Sequence, residues 1–136
     1  MPSPETAQPP LTLYGRMRWD VVERLLPAAP GRVLEVGCGQ GAVAVRLAAR
    51  AASYTGVELD RVSAATAEDR LVAADVPGTV VHGPLGSLPE AERFDLVCAF
   101  EVIEHIEDDA VALKEWVGRL APGGMLLISK IGRAHV

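Results

Sequence analysis

Cysteine and aromatic residues are scarce in this sequence. Cys38 and Cys98 are the only two cysteines among 136 residues, and Phe, Trp and Tyr together make up 4%. The thiols stand too far apart for a zinc knuckle or a thioredoxin-like pair, so both read as free thiols in a reducing compartment. Long apolar runs are missing too, since no stretch approaches the roughly 20 residues that cross a bilayer. The opening "MPSPETAQPP" holds four prolines and no apolar core, which excludes a signal peptide and reads as a disordered lead-in over residues 1–12. Basic runs are equally absent. The densest basic spot is Arg16-Met17-Arg18, and a formal charge of −5 opposes the counterion release that drives nonspecific nucleic-acid binding. A soluble, cytoplasmic protein is expected, with neither membrane nor nucleic acid as partner.

What is present is apolar aliphatic sequence, 49% hydrophobic overall, enough for one domain with one core. "MRWDVVERLLPA" spaces Val21, Val22, Leu25 and Leu26 as a helix that covers a sheet and ends at Pro27. "RVLEVG" reads as a strand running into glycines, and "AVAVRLAARAA" as the helix that follows. "YTGVEL" is a second strand, "RVSAATAEDRLVAAD" a second such helix, and "TVVH" a third strand. "FDLVCAF" has the unbroken apolar pattern of a central parallel strand buried on both faces. "DDAVALKEWVGRLAPGG" predicts a helix with acidic residues at its start, Trp116 and Leu120 on one face, and a Pro-Gly-Gly stop. "MLLIS" is a fifth strand. Strands alternating with helices predict an α/β, Rossmann-like, doubly wound and mostly parallel sheet over residues 13–130.

In such sheets a glycine-rich first turn lets backbone approach a ligand beyond the carboxyl ends of the strands. "EVGCGQGA" is a turn of this kind, and its glycines alone leave the ligand open. Gly37, Gly39 and Ala42 fit the dinucleotide spacing G-x-G-x-x-G/A, while Gly37, Gly39 and Gly41 fit G-x-G-x-G. Glu35, two residues before the first glycine, is poised to receive a cationic group rather than a pyrophosphate. Glu58, at the end of the second strand, is placed to accept hydrogen bonds from ribose hydroxyls.

Taken in order, "VLEVGCGQGAVAVRLA", "YTGVELD", "FDLVCAFEVIEHI" and "LAPGGMLLIS" resemble successive motifs of the class I S-adenosylmethionine-dependent methyltransferases, of the generic small-molecule type. The resemblance runs from Arg32 to Ser129. It implies S-adenosyl-L-methionine as cofactor and methyl transfer to an O, N or C atom of a small-molecule acceptor. It also implies that Glu35 and the turn backbone at Gly37, Cys38, Gly39 and Gly41 hold the methionine moiety. Glu58 would bind the ribose, Leu59 would lie against the adenine, and Glu101 would line the cofactor pocket. One departure stands out: where family members often carry an aspartate after the third strand, this sequence has Gly83 and Pro84, so adenine recognition is expected from backbone or from a later residue. His82 is assigned no role.

"EVIEH" admits three readings. If the chain turns helical after the fourth strand, Glu101, Glu104 and His105 share a face and converge on one cation, which resembles the metal site of small-RNA 3′-end ribose methyltransferases. Generic members carry similar segments without metal, and there Glu104 or His105 contacts the acceptor and serves as the candidate catalytic group. In the third reading the segment is a loop and helix start. Cys38 fits the turn as a small residue and Cys98 the fourth strand as apolar filler; neither has a base beside it in sequence.

The class I fold ordinarily continues beyond its fifth strand, so its C-terminal strands are expected to be missing here. The ending "IGRAHV" reads as one frame of a sequencing adapter, which makes residues 131–136 an expected artefact, leaves His135 and Arg133 without functional meaning and leaves the acceptor half largely absent. Low stability and little turnover are expected of such a chain. A noncatalytic cofactor-binding module or inactive fragment is the alternative outside catalysis, and a nicotinamide dehydrogenase is opposed by Glu35 and by the "APGG" strand entry.

Overall fold

Short β-branched runs alternate with alanine- and leucine-rich segments, and the computed structural model, which describes residues 11–129, turns each into a regular element. Helix α1 (Leu13–Leu25) leads into β1 (Arg32–Val36), α2 (Ala42–Ala48), β2 (Ser53–Glu58), α3 (Arg61–Ala73), β3 (Thr79–His82), β4 (Phe94–Phe100), α4 (Asp109–Val117) and β5 (Leu120–Ser129). The strands form one sheet in the order β3-β2-β1-β4-β5, and every pairing is parallel. Parallel neighbours need crossovers, and the helices supply them on both faces. This is the expected Rossmann-like α/β sheet.

Alternation along the strands divides the core in two. On one face Val33, Tyr54, Leu96 and Cys98 pack with Trp19 and Val22 of α1, Leu47 of α2 and Leu71 of α3. On the other, Leu34, Val57, Val97 and Ala99 pack with Ala112 and Trp116 of α4 and with Leu85 and Leu88 of the β3–β4 connection. β4 is buried at every position except Asp95. That side chain accepts the Arg32 N–H at 2.9 Å, so it fastens the start of β1 to its neighbour.

Two boundaries and one buried face differ from the sequence reading. The lead-in gives way before residue 12: Leu11 packs against the core, and the Thr12 hydroxyl accepts the Gly15 N–H at 3.0 Å to cap α1. Residues 1–10 and 130–136, with the expected disorder, the adapter-like ending, Arg133 and His135, lie outside the described residues. Of the four residues expected on the covering face of the first helix, only Val22 is buried and Leu26, just past α1, partly so, while Val21 and Leu25 are more than half exposed. Residues adjacent in a helix cannot face one surface, and Trp19 with Val22 claims it. The last helix ends at Gly118 rather than at Pro-Gly-Gly, because Leu120 already pairs with Phe94 as the first residue of β5. Trp116 and Leu120 still meet in one core cluster. The "APGG" segment is absorbed by a register shift between Phe94 and Leu96, where an edge strand tolerates proline.

Candidate active site

The strand order reverses between β1 and β4, with β2 and β3 to one side and β5 to the other. Connections therefore leave in opposite directions and open a crevice beyond the carboxyl ends of the strands. The glycine turn sits at its centre. Gly37 and Cys38 donate their N–H groups to the Val57 carbonyl at 2.8 and 3.2 Å, which ties the turn to β2. Gly41 has φ +87°, and a Cβ there would stand 2.8 Å from the Ala67 Cα, so glycine lets α2 start hard against α3. Gly39 has φ +55° and nothing within 4 Å of where a Cβ would be. Its open side is a place for a ligand to meet backbone.

Two cavities share Gly37 and Phe100 and lie on either side of the turn. The larger, about 690 Å³, is lined by Glu58, Leu59, Gly83, Pro84, Glu101 and Trp116 among others. The smaller, about 360 Å³, has Arg18, Glu35, Cys38 and Gly39 in its wall. At the larger cavity, the Glu58 carboxylate accepts the N–H groups of Gly39 and Asp60, both at 2.8 Å. One lone pair on each oxygen is left for a ligand. Leu59 stands 72% exposed beside it, an apolar surface held out into the crevice. His82 lies at the exposed end of β3 with Nε2 3.1 Å from the Leu59 carbonyl oxygen, which ties two strand ends together.

At the smaller cavity Glu35 is 3% exposed, and the Tyr54 hydroxyl donates to it at 2.7 Å. Burial raises the Glu35 carboxyl to about 7; the Tyr54 hydrogen bond and the Arg18 charge oppose that rise, and Glu58 adds to it. Burial pushes the Cys38 thiol up to about 12, helped by Glu35 and Glu58, and raises Cys98 as well. Both thiols are unpaired in any disulfide and stay protonated at neutral pH, so neither is an activated nucleophile.

The "EVIEH" segment does not form one helical face. Glu101 takes φ +60°, a left-handed conformation uncommon outside glycine, and only Ile103–His105 makes a short 3-10 turn. The N–H of Glu101 donates to the Ser129 carbonyl at 2.8 Å, and its carboxylate pairs with Arg18 of α1 at 2.8 Å. Among the described residues the Glu104 and exposed His105 side chains pair only with each other, at 3.8 Å. The shared helical face on which the cation alternative depended is not formed, because the left-handed residue breaks the helical register at its first member. Among the described residues no group of three His, Cys, Asp or Glu is placed to hold a metal ion. Glu101 still lines the larger cavity with His105, while Glu104 does not.

Arg18, Tyr54 and Arg119 were not singled out by sequence reasoning. Arg18 belongs to the one dense basic spot, but nothing local shows that α1 delivers it to the end of β4. Among the described residues Arg18 Nε and Glu101 Oε1 are buried without a hydrogen-bond partner, so the ion pair leaves polar atoms unsatisfied. Tyr54 offered a weak signal: it lies two positions before Gly56 and so on the same strand face.

A family model for a methyltransferase domain matches residues 34–128. The chain is 30% identical to the ubiquinone biosynthesis O-methyltransferase of Xylella fastidiosa over 134 residues, covering 96% of this chain and 54% of that protein. Among solved structures, the N-methyltransferase NodS of Bradyrhizobium japonicum, determined with S-adenosyl-L-homocysteine, superposes with a TM-score of 0.75 at 26% identity over 86% of this chain and 62% of that one. The [4+2]-cyclase SpnF superposes with a TM-score of 0.73 at 28% identity over 84% and 44% of the two chains. The chain spans about half the length of the curated relatives it matches. With the glycine turn, the switch point and the matched residues in one unit, the chain belongs to the methyltransferase domain family.

Proposed function

We propose that the protein transfers a methyl group from S-adenosylmethionine to an O, N or C atom of a small-molecule acceptor. The observation that carries this reading is the pair of cavities flanking one glycine turn, with Glu58 at one end and buried Glu35 at the other. A ligand with a ribose at one end and an amino acid at the other matches that polarity. Glu58 keeps acceptor capacity for two ribose hydroxyls, Leu59 offers an apolar face to adenine, and Gly83, Pro84 and Leu85 line the side where an aspartate is lacking. Gly37, Cys38 and Gly39 present backbone to the middle of the ligand. Glu35, with Arg18 in the same cavity wall, receives the methionine end. The relatives support this reading: one is an O-methyltransferase of ubiquinone biosynthesis, and another an N-methyltransferase determined with S-adenosyl-L-homocysteine.

The cofactor supplies a sulfonium methyl already activated for displacement, so the protein's task is alignment and exclusion of water. Phe100, common to both cavities, and Val102, whose side chain packs over Gly37, close the apolar side of the crevice. His105 lines the larger cavity and is the group available to take a proton from an acceptor that must lose one. The RNA ribose reading needs Glu101, Glu104 and His105 on one cation, whereas Glu101 is engaged with Arg18.

Calorimetric titration with S-adenosylhomocysteine, with NAD as competitor, tests the reading. Saturable binding that NAD does not displace is expected, with loss of at least tenfold in affinity in Glu58→Gln. Displacement by NAD, or no binding by a folded chain, would sink it. Binding without methyl transfer to any acceptor would favour the noncatalytic module instead.

A further inference from the structure

Tyr54 and Gly56 share one face of β2, and Gly56 is the register partner of Glu35 on β1. The Tyr54 side chain, buried in the core beside Trp19 and Val43, runs along that face until its hydroxyl meets the Glu35 carboxylate at 2.7 Å. Gly56 makes this path available. A Cβ at that position would stand 2.7 Å from the Tyr54 hydroxyl oxygen and 3.0 Å from the Cys38 sulfur, so any other residue would push the hydroxyl off the carboxylate.

We infer that Tyr54 is a positioning residue, whose hydroxyl aims the Glu35 carboxylate at the ammonium end of the ligand in the smaller cavity and favours its charged form, so that ligand affinity depends on pH. This rests on the reading of the cavity given above. Among the described residues Tyr54 makes the only side-chain hydrogen bond to Glu35. The other charged and titratable groups facing Glu35 divide by sign. Arg18 from α1 favours the carboxylate but is shared with Glu101, while Glu58 from the end of β2 disfavours it. The thiols of Cys38 in the turn and Cys98 on β4 stay neutral. Burial and Glu35 itself raise the Tyr54 phenol well above its ordinary value, so it remains the donor. Its short O–H···O bond to a carboxylate is of the charge-assisted kind.

With Glu35 titrating near neutrality, a ligand carrying an ammonium group has to displace its proton to solvent when it binds at lower pH. A ligand without that group does not. The test is calorimetric binding of S-adenosylhomocysteine and of 5′-methylthioadenosine, which lacks the amino-acid end, to the full chain between pH 6 and 8.5. For the wild type, the Kd for S-adenosylhomocysteine should weaken about tenfold from pH 8 to pH 6, and the Kd for 5′-methylthioadenosine should stay level. Glu35→Gln should flatten the first profile. Tyr54→Phe should shift its midpoint to higher pH, so that affinity is several-fold weaker at pH 7 and recovers by pH 8.5. Gly56→Ala, which moves the hydroxyl without removing it, should shift the midpoint the same way.

A Tyr54→Phe profile lowered equally at every pH overturns the inference, because it would show a structural role alone. So does a Glu35→Gln profile with the wild-type slope. Binding of both ligands with flat profiles overturns the inference and leaves the cofactor reading intact; a wild type that binds neither overturns both.

Discussion

Gly39 and Gly41 are two residues apart in one turn, yet a methyl group added to each meets different physics. At Gly41 it would collide with the α3 backbone at Ala67 as well as occupy a left-handed conformation. Gly41→Ala should therefore destabilise the fold by about 2–3 kcal/mol, read by chemical denaturation. At Gly39 the space is open, so only the conformational penalty of about 1 kcal/mol applies. Its larger effect should fall on ligand approach: Gly39→Ala should weaken S-adenosylhomocysteine by tenfold or more while the melt shifts little, and unchanged affinity would remove Gly39 from the cradle. Glu35 carries a second residue-scale prediction. Its folded-state carboxyl is raised from 4.5 to about 7, so the stability linked to its protonation is complete below about pH 4.5 and is lost progressively as pH rises to 7. Glu35→Gln keeps an acceptor for Tyr54 and avoids burying charge. It should match the wild type near pH 4.5 and exceed it by about 3 kcal/mol at pH 8 in urea melts run at both pH values. A constant difference across that range would contradict the assignment.

At the scale of elements, one buried guanidinium organises the connection between β3 and β4. Arg119, just past α4, donates to the carbonyls of Leu85, Leu88, Pro89 and Glu92, and Leu85 and Leu88 in turn seal the core beneath the larger cavity. Arg119→Met preserves much of the volume but leaves those carbonyls without their donor. The expected loss is about 2–3 kcal/mol. Hydrogen exchange should accelerate over residues 84–92 before it does in β1 or β4, and uniform exchange across the sheet would argue against a local role. The helices show how separate local signals combine. Asp60 caps α3 by accepting the Ser63 N–H at 2.9 Å, and Asp108 caps α4 by accepting the Val111 N–H at 3.1 Å. Such caps can be read from sequence, because donor and acceptor lie three residues apart. Arg119 could not be read that way, since its acceptors lie about thirty positions upstream.

For the molecule as a whole, four of the ten exposed large apolar residues among the described ones line α1. Leu13, Met17, Val21 and Leu25 recur every four residues along α1 and are 78, 60, 54 and 53% exposed. Met17, Val21 and Leu25 line a groove against Leu127 and Ile128 of β5, the edge strand of the described sheet. An apolar stripe beside an exposed strand edge favours self-association. Sedimentation velocity should show mass increasing with concentration, and Met17→Glu with Val21→Glu should suppress it without lowering the melting temperature. A monomer at every soluble concentration, indifferent to those changes, would show the stripe to be harmless. Among the described residues no helix is long and apolar enough to cross a membrane, so this stripe is not part of a helical span.

The element types, their α/β order and the position of the glycine turn can be read from the chain alone, because these depend on near neighbours: the unbroken apolar run in "FDLVCAF", capping carboxylates three residues before the N–H they accept, and glycines where the chain must turn sharply. It also placed Glu35 and Glu58 at strand ends, where periodicity and the switch-point rule bring them to one crevice. What those carboxylates meet depends on how the sheet and helices pack. Tyr54 reaches Glu35 because two strands pair in one register, and Arg18 reaches Glu101 because α1 packs across the end of β4. The fate of "EVIEH" was decided in the same way. Its spacing fits a helical face, but the left-handed turn at Glu101 and its bond to Ser129 belong to the junction of β4 and β5. Burial, and with it the raised proton affinity of Glu35, depends on residues far apart in the chain that pack together, and no local pattern encodes it.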